Sequence, residues 1–272
     1  MECPYCQSAM ITECPETTAR GYRRFRCRAC KQGFNERTGS LFNRLQYPPD
    51  VVSLVVLWRV RYKLSLRDLA ETFLERGVSF THEAVREWET KFAPVLSETL
   101  RKQRRGKVGR SWYCDETYLK VKGRGVYLYR AIDRDGNLVD VLLSERQDQA
   151  AAEAFFRSAR TVTDSVSDRV TTDGHGAYPG AIKRELGEGI THRTNRYLNN
   201  HLEQDHRGIK QRTHSMCGFK NFVSAARFCR VYAEVRQFFR ARARRNEVVS
   251  LAWQRALHLG RMRVFMATFA VV

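Results

Sequence analysis

The chain has 272 residues, of which 43% are hydrophobic, and its 48 Lys and Arg outnumber 29 Asp and Glu to give a net charge of +19. This hydrophobic content excludes a disordered basic tail protein, and the charge is typical of a nucleic-acid partner. The N-terminus lacks the apolar core of a signal peptide, and the longest apolar runs are too short to span a bilayer, so we expect an intracellular protein with no membrane partner.

Five of the eight cysteines lie in residues 1–46, which we predict to form a zinc ribbon. In a reducing compartment, cysteines favour metal binding or burial over disulfides. Two C-x2-C pairs supply four thiolates, the closed tetrahedral shell of one structural Zn²⁺. The predicted ligands are Cys3, Cys6, Cys27 and Cys30. Cys14 lies between the pairs as an alternative ligand, and simple burial or disulfide bonding is the competing interpretation.

Residues 47–97 read as three helices, the last two with the cadence of a helix-turn-helix DNA-binding domain. Ser65 and Thr81 are the expected N-caps of those two helices. Arg86 and Lys91 are the candidate DNA contacts on the presumed recognition helix. The same helix carries three glutamates that would repel phosphate, Glu83, Glu87 and Glu89. Two ordinary core helices are therefore the alternative interpretation.

A basic linker at 98–110 leads to a segment in which strands and helices alternate. The run 100–110 has six basic residues and no acid, which indicates a linker or a strip facing phosphates. Residues 111–245 are predicted to form a meander of three antiparallel strands and then a helix, a strand, a helix, a strand and a long helical region from about Leu202 to Arg244. The order βββαβαβα predicts an α/β domain with a mixed sheet. Residues 246–272 form a helical tail of unknown role.

Asp115 lies on the first of these strands and raises a chemical question. By strand alternation it shares a face with Tyr113, Thr117, Leu119 and Val121, whereas Glu116 and the neighbouring lysines take the other face. Desolvating a carboxylate is costly, so a chain that does so supplies a cation, a hydrogen-bond network or a metal ion. We therefore looked for partners of Asp115 among the later acids.

Two further acids lie where they can converge with Asp115. Asp173 ends a strand at a glycine turn, where catalytic side chains commonly emerge from α/β sheets. Glu203 lies on the following helix, on one face with Arg207 and Lys210, whereas Asp205 points roughly opposite. Carboxylate oxygens suit Mg²⁺ or Mn²⁺, although each acid alone is more simply a solvated surface residue. We predict that Asp115, Asp173 and Glu203 act as a set.

Three stretches resemble the catalytic core of bacterial and archaeal insertion-sequence transposases, specifically the insertion sequence six family. They are "WYCDETYLKVKGRGVYLYRAIDRDG", "TTDGHGAY" and "NNHLEQDHRGIKQR" followed by "MCGFKNF", and the similarity covers residues 50 to about 240. The resemblance implies an RNase H-like fold and a DDE triad of Asp115, Asp173 and Glu203 that binds two divalent ions. It also implies that Lys210 is the attendant basic residue.

The expected function is therefore that of a DNA transposase. It would bind the ends of its insertion sequence, cleave them to free 3′-hydroxyls and join these to target DNA by two-metal phosphoryl transfer. Arg207 and Lys210 are the expected contacts to the scissile phosphates. We expect a homodimer or larger synaptic assembly on double-stranded DNA, in a prokaryotic cytoplasm and associated with the nucleoid. The alternatives are a non-catalytic DNA-binding regulator and an RNase H-like structure-specific nuclease.

Overall fold

The computed structural model describes residues 1–195, 200–241 and 249–271. The chain divides into two compact units, the first made of residues 1–53 and 265–272 and the second of residues 54–264. The five domain boundaries predicted from the sequence are finer than this division, and they stay predictions.

The first unit contains a small antiparallel sheet around the cysteines. Its strands are, in spatial order, β1 (Ile11–Thr17), β2 (Arg23–Cys27) and β3 (Gly33–Asn35). The rings of Phe25 and Phe34 stack with centroids 5.6 Å apart, and Cys3 and Cys27 are buried beside them. This core is small, so the stability of the sheet depends on a cross-link between the turns that carry its cysteines.

Three helices follow, and the last two form the predicted helix-turn-helix. They are α1 (Pro49–Arg61), α2 (Leu66–Leu74) and α3 (His82–Gln103). Both predicted N-caps are confirmed, because Ser65 Oγ accepts a hydrogen bond from the Asp68 N–H at 3.1 Å and Thr81 Oγ1 accepts one from the Ala84 N–H at 3.2 Å. Phe73 packs between α1 and the turn, with ring centroids 5.4 Å from Trp58 and 5.4 Å from Phe80.

Three charged side chains in this region are buried in ion pairs with partners from distant elements. Glu89 does not face phosphate: it is buried and forms an ion pair with Arg59 at 2.9 Å. The basic run at 100–110 begins inside α3, and two of its arginines are buried rather than exposed as a linker or phosphate-facing strip. Arg104 donates to both carboxylate oxygens of Glu234 at 2.7 and 2.8 Å, and Arg101 pairs with Asp140. A local charge count cannot detect these distant partners.

A five-stranded mixed sheet forms the centre of the second unit, and its elements follow the predicted order βββαβαβα. The elements are β4 (Ser111–Val121), β5 (Arg124–Asp133), β6 (Leu138–Ser144), α4 (Gln149–Thr163), β7 (Arg169–Thr172), α5 (Tyr178–Leu186), β8 (Thr191–Thr194), α6 (Asn200–Ser215), α7 (Phe222–Phe239) and α8 (Leu251–Val271). The spatial order is β6-β5-β4-β7-β8, with β4–β6 antiparallel and β7 and β8 parallel to β4. The predicted antiparallel meander and mixed sheet are confirmed.

Helices cover both faces of β4. One face carries Trp112 and Cys114 into a core formed with α4 and α5, and the other face, which bears Asp115, lies against α6. Asp148 caps the N-terminus of α4, because its Oδ1 accepts a hydrogen bond from the Ala151 N–H at 2.9 Å. Asp115 therefore lies between two packed layers, next to the helix that carries Glu203.

The long helical region predicted from Leu202 to Arg244 is instead two helices, α6 and α7. The chain turns between them through Cys217 and Gly218, whose φ angles of 55° and 76° are incompatible with a continuous α-helix. The connecting loop is held by the Lys122 N–H, which donates to the Phe219 carbonyl at 2.7 Å. Within the described ranges, no helix combines the length and apolar content needed to cross a membrane.

Candidate active site and metal centres

The parallel pairing of β4 with β7 brings the first two acids together. Tyr113 is level with Thr171 in this ladder, so continuing the register by two residues places Asp115 level with Asp173. Neighbouring strands lie about 4.8 Å apart, which sets the spacing of the two backbones. Ligand oxygens of Asp115 and Asp173 belong to one group in which all such atoms lie within 4.8 Å of one another. The pairing therefore creates a site for a cation at the carboxyl end of β7.

The turn after β7 aims Asp173 into this site. Asp173 Oδ1 accepts a hydrogen bond from the His175 N–H at 3.0 Å, which fixes the carboxylate against its own backbone. Gly174 has a φ of +95°, and an added Cβ would lie 2.5 Å from Thr194 Cγ2. A side chain at position 174 would therefore be both strained and crowded, so glycine is required there for the turn.

The structure adds Glu116, which strand alternation places on the opposite face, to the acidic group. β7 ends at Thr172, so the edge of β4 is open beyond Tyr113 and both neighbouring carboxylates reach the cleft there. Glu116 Oε1 accepts from Gln147 Nε2 at 2.7 Å, and its second oxygen accepts from the Tyr178 hydroxyl. The sequence signal for Glu116 is its position next to Asp115 in "CDET". Strand alternation assigns these two neighbours to opposite faces of the sheet, so it does not predict that both reach the cleft.

The electrostatics of the site oppose ionisation of Asp115. The pKa of Asp115 is raised to about 7, chiefly by burial and then by the charges of Glu116, Asp173 and Glu203 in that order. Neutral Asp115 is therefore substantially populated near physiological pH when no cation is bound. A divalent ion in the cleft would compensate the repulsion that holds this proton in place.

Glu203 is exposed on α6, as are Arg207 and Lys210 on later turns of the same helix. Its charge raises the pKa of Asp115, but Glu203 lies outside the closely spaced group that Asp115, Glu116 and Asp173 form within the described ranges. The assignment of Glu203 as the third ligand and of Lys210 as its attendant base stays a prediction.

Asp205, two residues after Glu203 on α6, is engaged in ion pairs within the fold instead. It accepts from Arg130 Nη2 at 2.8 Å and Arg130 Nε at 3.1 Å, and it also pairs with Arg236. Arg130 lies directly opposite Asp115 in the β4–β5 ladder and is buried. This ion pair therefore fixes α6 against β5 beside the acidic cleft, in the orientation that carries Glu203.

The four predicted zinc ligands also converge. Cys3 Sγ lies 3.6 Å from Cys30 Sγ, and Cys6 Sγ lies 3.6 Å from Cys27 Sγ. Four thiolates around a tetrahedral zinc would be about 3.8 Å apart, so this arrangement fits the ion. A hydrogen bond from the Cys30 backbone N–H lowers the pKa of Cys27 to about 7, which favours the thiolate. Cys14 is outside the group that the structure forms from described residues.

The two proposed DNA contacts on α3 are exposed. Arg86 Nη1 lies 2.6 Å from a carboxylate oxygen of Glu83, which neutralises part of its charge. Lys91 lies one turn further along the helix, its ammonium 5.8 Å from the ring centroid of Phe92. Their roles as DNA contacts stay predictions.

Comparison with known proteins matches this site to a family. A family model described as a DDE domain matches residues 109–242. The chain is 36% identical over 179 residues to the transposase for insertion sequence-like element IS431mec of Staphylococcus aureus, a match covering 63% of this chain and 77% of that protein. The transposase for insertion sequence element IS257 in transposon Tn4003, also from Staphylococcus aureus, matches with the same identity and coverage.

Among solved structures, the HTLV-2 integrase catalytic core domain in complex with magnesium matches with 14% identity and a TM-score of 0.37, covering 57% of this chain and 99% of that one.

A mixed sheet with acids gathered where β4 and β7 diverge, within a matched DDE domain, defines a DDE enzyme. The chain belongs to the insertion sequence six family of DDE transposases. The resemblance predicted from its motifs is thereby confirmed.

We expect Asp205→Asn to lower the free energy of unfolding by about 3–5 kcal/mol, because it leaves Arg130 buried with an uncompensated charge. The matched change Glu203→Gln, two residues away, should leave stability unchanged within about 0.5 kcal/mol or slightly raised. Urea unfolding of both variants measures this difference. Equal losses in the two variants would show that Asp205 does not anchor α6.

The raised pKa of Asp115 predicts a pH-dependent effect on stability in metal-free protein. The folded state holds this proton more tightly than the unfolded state, so the contribution of Asp115 becomes unfavourable as pH rises from about 4 through about 7. Asp115→Asn cannot ionise at this position. The melting temperature of the variant minus that of the wild type should therefore increase as pH rises from about 5 to about 8. If this difference in melting temperature decreased as pH rises, a cationic partner would have to hold Asp115 ionised.

Proposed function

We propose that this transposase binds the ends of its insertion sequence, cleaves them to free 3′-hydroxyls and joins these to target DNA. The observation that carries the proposal is the register that sets Asp115 level with Asp173, in a cleft whose charge keeps Asp115 partly protonated. Such a cleft is unfavourable for folding alone and favourable for holding cations. A non-catalytic regulator would have no use for it, whereas a structure-specific nuclease would, and only joined products separate the nuclease from the transposase.

The proposed metal ligands are Asp115, Asp173 and Glu203, and their oxygen donors fit Mg²⁺ or Mn²⁺. Two divalent ions bound there would activate a water or a 3′-hydroxyl and stabilise the leaving oxygen of an in-line displacement at phosphorus. The protein itself supplies the ligand positions: β4 and β7 fix two acids, and α6 brings the third. Asp115 has to lose its proton for the site to fill, so metal binding should release protons.

The proposed DNA contacts lie on two helices. On α6, Arg207 and Lys210 are exposed on the turns that follow Glu203, where they are suited to hold the phosphates beside the scissile bond. On α3, Arg86 and Lys91 are suited to the phosphates or bases of the element's end. Synapsis of two ends requires at least two active sites, so we propose a homodimer or larger assembly on DNA.

The domain roles follow this division of labour. Residues 1–46 are proposed as a zinc ribbon and 47–97 as the helix-turn-helix that recognises the element's end. Residues 98–110 connect them to the catalytic domain at 111–245, and 246–272 form a C-terminal helical segment.

The triad proposal predicts a loss of cleavage and joining without a loss of DNA binding. Asp115→Asn, Asp173→Asn and Glu203→Gln should each reduce both reactions by more than about a hundredfold, because even residues that only orient metal ligands are worth 10–100-fold. The assay incubates purified protein with Mg²⁺, a labelled fragment of the element's own end and a target plasmid.

Asp168→Asn is the matched control. Asp168 is exposed, lies immediately before β7, whereas Asp173 lies immediately after it, and forms a surface ion pair with Arg110. It should retain activity. Cleavage without joining by the wild type would assign a nuclease instead. If Glu203→Gln alone kept its activity, the third ligand would have to be sought elsewhere, with Glu116 as the first candidate.

The proposed zinc ribbon, residues 1–46, is predicted to bind about one equivalent of zinc, since a small sheet built around four convergent thiolates has little other core to stabilise it. Elemental analysis of unoxidised protein measures the metal. Changing Cys3 and Cys6 to Ser should remove the zinc and unfold residues 1–46, whereas Cys14→Ser should retain both the zinc and the fold of this segment. Less than half an equivalent in the wild type would contradict the zinc site.

A further inference from the structure

A cavity of about 520 Å³ opens beside α6, on the same sheet face as Asp115. Residues from the end of α1, from β5, from α6 and from α7 line it. Its floor includes Ile132, which follows Arg130 by two residues on β5 and so faces the same way. Gln204 and Asp205 line its wall and directly follow Glu203 in the chain. The cavity therefore lies beside the Arg130–Asp205 ion pair, two residues along β5 from the position opposite Asp115, and its volume suits a ligand of small-molecule size.

Four arginines and one aspartate give the cavity its charge. Asp205 is already bound by Arg130 and Arg236, and Arg212 is occupied by hydrogen bonds to carbonyls, including that of Val60 at 3.3 Å. The remaining two guanidinium groups are those of Arg61 and Arg240.

Neither Arg61 nor Arg240 has a hydrogen-bonded or ion-paired side chain within the described ranges, and Arg61 Nε is buried without an acceptor. A buried donor without an acceptor is costly, so the Nε of Arg61, beside the second unpaired guanidinium group of Arg240, indicates an anionic ligand. Guanidinium groups are the donors that match phosphate oxygens in pairs.

Aromatic rings lie beside these two arginines. The side chain of Tyr62 is 41% exposed at the cavity, although it is a large hydrophobic residue. Arg61 lies over the ring of Phe239 at 4.2 Å, which fixes the guanidinium plane in place. The Arg61 guanidinium also lies 5.7 Å from the centroid of the Tyr62 ring. An exposed ring next to unpaired guanidinium groups is the combination with which proteins hold an unstacked base and its phosphate.

We propose that this cavity receives a single extrahelical nucleotide of the bound DNA, with its phosphate on Arg61 and Arg240 and its base against Tyr62. The inference rests on the proposed function, because it requires DNA in the adjacent cleft. It assigns to the protein a second recognition element, which holds a nucleotide displaced from the helix next to the one being cut. Enzymes that place a nucleotide in a pocket gain selectivity for DNA that unpairs easily at that point.

The test compares binding of the full chain, without Mg²⁺, to a perfect duplex and to the same duplex with one unpaired nucleotide. The wild type should prefer the bulged duplex by about tenfold, the size expected when one base gains an aromatic partner. Tyr62→Leu should lose most of this preference and Tyr62→Phe should keep it. The double variant Arg61→Gln and Arg240→Gln should lose it as well.

Arg230→Gln is the control for charge, since Arg230 is exposed on α7 and is not among the lining residues. It should weaken binding to both duplexes equally. If Tyr62→Leu fails to fold, as judged by its melting curve, the double arginine variant and Tyr62→Phe decide the outcome.

Three results would overturn the inference. The first is a wild type that binds both duplexes equally, which leaves the proposed function intact. The second is a preference that survives both Tyr62→Leu and the double arginine variant. The third is binding of free deoxynucleoside monophosphate as tightly as of bulged DNA, which would make the cavity a site for a free nucleotide. Failure to bind either duplex would also overturn the proposed function.

Discussion

The parallel pairing of β4 with β7 is the constraint on which the acidic cleft depends. The ladder is only three residues long, and it ends one residue before the end of β7. Its register sets Asp115 level with Asp173, and its end opens the edge of β4 so that Glu116 reaches the same cleft. A slip of one residue would turn Asp115 to the opposite face and exchange it for a neighbour. The acids are thus positioned by strand geometry, together with the turn at Gly174 that follows β7.

Buried arginines orient the helices around this sheet. Arg104 binds Glu234 of α7 and two carbonyls of β6, while Arg130 binds Asp205 of α6. A buried ion pair tolerates little change in geometry, because each charge left unpaired is strongly destabilising. Part of the large positive charge of this chain is therefore structural and unavailable to DNA. The arginines that remain exposed or unpaired are the ones to consider as DNA contacts.

Two acids on α6 show how structure and function divide. Asp205 is nearly enclosed by two arginines, and its carboxylate stabilises the fold. Glu203, two residues earlier, is exposed, has no ion pair within the described part of the chain, and acts on Asp115 as a repelling charge. The transposase therefore keeps unfavourable acids together in its cleft and compensates through well-paired charges nearby. This pattern is expected where carboxylates serve a bound cation rather than the fold.

The sequence by itself determined the elements whose signals are local. Alternation and turn residues predicted β4–β6, short polar side chains predicted the caps of α2 and α3, and spacing identified the four cysteines that converge. Motif resemblance supplied the family and selected Asp115, Asp173 and Glu203. Tertiary structure alone decided the rest: the pairing of Glu89, Arg101 and Arg104, the entry of Glu116 into the cleft, and the cavity beside α6. Each of these depends on a partner from a distant element, and the energy of a buried charge is set by that partner rather than by its neighbours in sequence.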